Sequence, residues 1–116
     1  MLDATKLERL SGELSQQRAS LRREIQDYGA DPDSDEVAFE GDAGFSDRSH
    51  STEERARVIA VVRALRSNLH DVERALSKID AGTYGTCERC GRPIVEERLE
   101  AIPWALLCID CKKLTG

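Results

Sequence analysis

Four cysteines are the residues of this 116-residue chain whose types and spacing can do chemistry. They come as two short pairs, Cys87-Glu88-Arg89-Cys90 and Cys108-Ile109-Asp110-Cys111, with 17 residues between them. Two residues between cysteines let one tight turn aim both thiolates at a single ion, and a second such turn completes the tetrahedron that zinc prefers. Gly91 directly follows the first pair, where the chain leaves the knuckle through backbone angles that glycine accepts. The expected cofactor is therefore one structural Zn2+ held by Cys87, Cys90, Cys108 and Cys111. With four protein ligands the metal has no open position for water or substrate, so it is a clamp and not a Lewis acid.

Two other uses of these thiols compete with zinc. Disulfides belong to oxidising compartments. The N-terminal run Met1-Leu2-Asp3-Ala4-Thr5 has none of the character of a secretory signal, so the expected location is the reducing cytoplasm. A thioredoxin-like reading of one pair leaves the other unexplained and lacks a βαβ pattern around it. Size adds a further argument for metal. A lobe of about thirty residues lies below the ~40 residues at which a domain usually holds itself without disulfide, metal or partner. Zinc binding in small fingers is worth an apparent ~10–16 kcal/mol, much of it folding energy.

The elements that must carry this lobe read as helices. Leu7, Leu10, Leu14, Leu21, Ile25 and Tyr28 follow a three-four alternation with Gln17 as the gap, which predicts a helix from about Asp3 to Tyr28. Thr5 and Glu8 are spaced as a capping box, and Gly29 with Pro32 is a stop signal. The clearest period is Val58, Val62, Leu65, Leu69, Val72, Leu76 and Ile79, predicting a second helix from Ser51 to about Ala81. Ser51 with Glu54 is its expected cap, and Gly82 its end. Between the helices, residues 29–50 show no period and carry seven acids against the single base Arg48, together with both phenylalanines, Phe39 and Phe45. This is an acidic loop, and helices joined by one loop should pack antiparallel.

The expected fold is thus mainly α: a long antiparallel helical hairpin, or coiled coil, with a small C-terminal four-cysteine zinc-finger lobe and a short terminal helix. The expected division is a hairpin over residues 1–81, with loop 29–50 at its tip, and a finger over 82–116. Pro93 to Ala101 reads as a short strand or as one to two turns of helix, ended by Pro103, and Cys108 to Leu114 starts the last helix. Trp104, with Leu106 and Leu107, is the apolar body expected over the knuckles. Arg22, Arg23, Arg55, Arg57, Arg63 and Arg66 read as solvated faces.

Composition narrows the function. Aromatic residues make up only 4% and charged residues 34%, which suits charged helices with a narrow apolar seam better than a large globular core. A net charge of -5 argues against a protein that tracks phosphates along DNA and favours a basic protein partner. Apolar runs are only a few residues long, such as Val58 to Val62, so no membrane span is expected. No Ser-His-Asp or Cys-His arrangement stands out, His50 and His70 fall at a loop edge and on a helix, and the glycines form no phosphate-binding loop. An enzyme is not expected.

The run Tyr84-Gly85-Thr86-Cys87-Glu88-Arg89-Cys90-Gly91, then Arg98-Leu99-Glu100-Ala101, Pro103 and Cys108-Ile109-Asp110-Cys111-Lys112, closely resembles the DksA/TraR zinc-finger family. The resemblance implies a bacterial transcription regulator that binds RNA polymerase and not DNA, inserting an acidic coiled-coil tip into the secondary channel to modulate initiation. The chain departs from the family in three places. The family tip has two aspartates three residues apart, followed two residues later by alanine, whereas this chain reads Gly44-Phe45-Ser46-Asp47-Arg48-Ser49. Asp47 is carried over as the tip contact, with Asp42 as a substitute for the missing partner. Basic residues that serve the alarmone ppGpp in responsive members are replaced by Ala64, Ser67, Asp71 and Ile102, with Lys112 retained, so the expected ppGpp response is weak or absent. The helix after the last cysteine is short. A monomer is expected. The alternative is a structural or adaptor module that puts the same hairpin on another protein or dimerises through it.

Overall fold

A computed structural model describes residues 2–33 and 52–115. The tip candidates Asp42 and Asp47, both phenylalanines and the Ser51 cap lie outside the described residues. Four helices follow in order: α1 (Ala4–Asp27), α2 (Thr52–Ala81), α3 (Glu96–Ala101) and α4 (Ile109–Thr115). The described residues contain no strand beyond an isolated antiparallel bridge between Thr86 and Pro93.

Helix α1 begins two residues earlier than a Thr5 cap allows. Asp3 is the cap: its Oδ1 accepts the Lys6 backbone N–H at 2.8 Å, satisfying one of the donors that the first turn leaves unpaired. Both long helices stop at the glycines that the sequence marks. Gly29 and Gly82 have φ of 84° and 78°, a left-handed conformation costly for a residue with a Cβ. Around each, two amides turn back on the last carbonyls: Gly29 N to Gln26 O and Ala30 N to Ile25 O, then Gly82 N to Ile79 O and Thr83 N to Lys78 O. This is the bonding of a Schellman stop, and at α1 it comes with burial of both Ile25 and Ala30, the pair that usually makes its apolar contact.

The chain divides into two compact units, Ala19–His70 and a second built from Met1–Arg18 with Asp71–Gly116. In the second, Arg18 Nε donates to Glu73 at 2.9 Å, while Leu7 and Ile79 line one cavity. Rising numbers on α1 thus meet falling numbers on α2, the antiparallel pairing of a hairpin. Leu10, Leu14, Val72 and Ala75 are buried there. In the other unit the buried residues are Leu21, Ile25, Ala30, Val62 and Leu69. Two arginines in it do more than face solvent. Arg22 Nη1 pairs with Asp33 at 2.8 Å and Arg66 Nη1 donates to the Asp31 carbonyl at 2.7 Å, so both fasten the segment that leaves α1.

Candidate metal centre

The first pair of cysteines sits on a turn closed by its own backbone. Gly91 N donates to Cys87 O at 3.0 Å and Cys87 N to Arg92 O at 2.8 Å, just after the bridge at Thr86. The second pair is delivered by a helix start: Cys108 precedes α4, accepts the Lys112 N–H on its carbonyl at 2.9 Å, and leaves Cys111 within the first turn. Glu88 N donates to Leu106 O at 2.9 Å, tying the two ligand-bearing segments together.

All four thiols are free, and their Sγ atoms lie within 4.8 Å of one another. Cys90 Sγ and Cys108 Sγ are 3.8 Å apart. A tetrahedron with metal–sulfur bonds of about 2.3 Å has edges of about 3.8 Å, so the donor set fits one zinc ion. Cys87 and Cys111 are buried, Cys108 half-buried and Cys90 exposed. Hydrogen bonding from the Cys90 backbone, then from Cys108 and Arg89, draws the Cys87 thiol down to about 6, against the effect of its burial. Burial, followed by hydrogen bonding with Cys108 and its neighbours, pushes Cys111 up to about 12. Four such close thiols resist ionising together, and a dication supplies the charge that makes a four-thiolate cluster tenable.

Of Trp104, Leu106 and Leu107, the residues expected over the knuckles, only Leu107 belongs to the apolar body beside the thiols. Ile94, Leu99 and Ala105 form the core with Cys87 and Cys111, with Leu2, Tyr84, Ile102 and Leu107 against it. Pro93 to Ala101 resolves into the bridge residue and then α3, whose Leu99 is buried. Trp104 lines a separate cavity of about 360 Å³ with Asp71, Glu88, Arg98 and Lys112. Arg98, which the sequence marks only as part of the family-like run, donates its Nε to Leu107 O at 3.0 Å, one residue before a ligand. Lys6 pairs with Glu96, and Arg9 Nη2 with Glu100 Oε1 at 2.7 Å, so α1 grips α3 at two points one turn apart.

Tyr84 gives the lobe a pH dependence. Its hydroxyl donates to Pro103 O at 2.9 Å, and burial, with the Glu13 charge adding to it, pushes its pKa up from 10.0 to about 12. A group raised in the folded state contributes stability that is complete below its unfolded pKa and lost as pH climbs through the folded one. Stability should therefore decline between about pH 10 and 12. In urea titrations across that range, Tyr84→Phe should show a shallower decline than the parent; parallel curves for the two would contradict the assignment.

A closed site of four cysteine donors on a helical scaffold defines a C4 zinc-finger protein. Residues 82–114 match the model of the family described as the prokaryotic dksA/traR C4-type zinc finger. The uncharacterized protein YteA of Bacillus subtilis is 32% identical over 114 residues, covering 90% of this chain and 47% of its own. The RNA polymerase-binding transcription factor DksA of Haemophilus influenzae is 47% identical over 49 residues, 42% of this chain and 34% of that protein. The chain spans less than half the length of the curated relatives it matches. Among solved structures, transcription factor DksA2 from Pseudomonas aeruginosa aligns with a TM-score of 0.69 at 26% identity, covering 97% of this chain and 84% of that one. The DnaK suppressor protein from Agrobacterium tumefaciens aligns at 0.62 and 27%, covering 92% and 91%. Among the described residues no helix is long and apolar enough to cross a membrane.

Proposed function

We propose that this protein is a non-enzymatic, cytoplasmic transcription regulator that binds RNA polymerase directly and does not bind DNA. The observation that carries the reading is the C4 site within residues 82–114, joined to a helical fold shared with DksA structures along nearly the whole chain. In this reading residues 1–81 form the hairpin, which enters the secondary channel to modulate initiation, and residues 82–116 form the finger at its root. Zinc bound by Cys87, Cys90, Cys108 and Cys111 supplies rigidity alone, since four protein ligands leave it no substrate position. Asp47, with Asp42 in support, is the working end. A net charge of -5 and the acid-rich loop suit a basic channel and oppose a phosphate backbone.

The cavity lined by Lys112 supports a weak response to ppGpp. Arg98 and Lys112 share it with Asp71 and Glu88, so two carboxylates stand where a polyphosphate would need cations.

Co-purification with core polymerase and a transcription assay on the same preparation test this reading. Asp47→Ala is expected to retain binding within about twofold and to lose most of the effect on initiation, since a single tip carboxylate is a small part of a large interface. Addition of ppGpp should change binding less than about twofold, the size of response expected where no cation cluster meets the phosphates. Absence of any association with polymerase would overturn the reading and favour an adaptor that uses the hairpin on another protein, or a dimer visible by light scattering.

A further inference from the structure

Glu88 lies between the two ligands of the first knuckle, where zinc binding requires only a two-residue spacer and makes no use of a carboxylate. Its side chain is nonetheless engaged. Glu88 Oε2 accepts a hydrogen bond from Arg74 Nε at 2.6 Å and lies 3.9 Å from Lys78 Nζ. Arg74 and Lys78 are one turn apart on the same face of α2, so helical geometry brings both cations to one carboxylate. Lys78 is the one charged residue buried among those described, and its ammonium donates to the Thr86 carbonyl at 2.5 Å, immediately before Cys87. Glu88 N, in turn, holds Leu106 O, two residues before Cys108.

Of the two Glu88 contacts, the one with Lys78 is better sheltered than the Arg18–Glu73 pair, whereas Arg74 is 56% exposed. The Lys78 and Glu88 side chains are 11% and 27% exposed, against 44% and 40% for Arg18 and Glu73. Sheltered pairs feel less solvent screening and hold their geometry more firmly.

We propose that Glu88 is a positioning residue that couples the metal site to α2: with zinc bound, the knuckle fixes Glu88, and Glu88 holds the last turns of the helix through Arg74 and Lys78. Coupling is reciprocal, so whatever zinc does for α2, an ordered α2 does for zinc affinity by the same factor. The inference depends on the metal site alone and stands whether or not the partner is RNA polymerase.

Hydrogen exchange of peptides covering residues 71–81, with zinc and after chelation, tests the coupling alongside zinc affinity measured by competition with a chromophoric chelator. In the parent protein, chelation should speed exchange in this segment. Glu88→Gln should exchange faster even with zinc bound, and lose about tenfold in zinc affinity, the usual scale for residues that orient metal ligands. Arg74→Gln leaves the finger's sequence intact and should move both quantities the same way by a smaller factor. That variant keeps the test alive if Glu88→Gln does not fold. Glu73→Gln, which disrupts the pair that α2 makes with Arg18 of α1, should leave zinc affinity unchanged. The proposal is overturned if Glu88→Gln retains parent affinity within about twofold and parent exchange, or if Glu73→Gln weakens zinc as much as Arg74→Gln does, since general loss of helix stability then accounts for both.

Discussion

Chelation of zinc from the reduced protein at neutral pH is expected to unfold the segment from Gly82 onward, with loss of the far-UV signal of α3 and α4 and of the Trp104 environment. The expected effect is large because so little else holds this segment. Its core is Ile94, Leu99 and Ala105 around two thiols, and full burial of an Ile or Leu contributes only about 1.5–3 kcal/mol. Ordering each residue's backbone costs about 1–2 kcal/mol, so a segment of this length needs the ~10–16 kcal/mol that zinc supplies in comparable fingers. Cys87→Ser should reproduce the loss without chelator, since Cys87 is a buried ligand at the centre of the cluster. Elemental analysis showing no bound metal, or circular dichroism and melting unchanged by chelation, would remove the basis for the site.

Leu14→Ala should cost about 2–5 kcal/mol in denaturant unfolding, through lost apolar burial plus the cavity left behind. Leu14 is 1% exposed on α1, inside the unit that also holds the finger. Against the roughly 5–15 kcal/mol typical of a folded domain, this is a large share of total stability. Leu114→Ala provides the comparison, because Leu114 is 72% exposed on α4 and its truncation should stay within about 0.5 kcal/mol. Equal midpoints for the two variants would show that the α1 seam is not a packed core.

Most of the helical scaffold was legible because its signals are local. A run of apolar residues at steps of three and four, closed by a glycine that can enter the left-handed region, specifies a helix and its end without reference to the rest of the chain. Hence α2 ends at Ala81 and α1 at Asp27, close to their expected bounds. The seam was less accurate in detail. Val62, Leu69 and Val72 are buried as the period requires, but Ala75 and Lys78 are buried too, whereas Val58, Leu65, Leu76 and Ile79 are only half-buried. Near its end α2 faces the finger as well as α1, and a helix with two neighbours buries a wider arc than a seam predicts.

The sequence by itself determined the metal chemistry, the helical hairpin and the acidic character of residues 29–50, since ligand spacing, hydrophobic period and charge are written in residue order. Only the tertiary structure decided which side chains surround the thiols, that Asp3 and not Thr5 caps α1, and that Lys78 is a buried contact rather than a solvated lysine. Those outcomes depend on partners distant in sequence or on competition between neighbouring candidates. A carbonyl at Thr86 or a carboxylate at Glu88 gives no sign of itself at position 78 until the chain has folded.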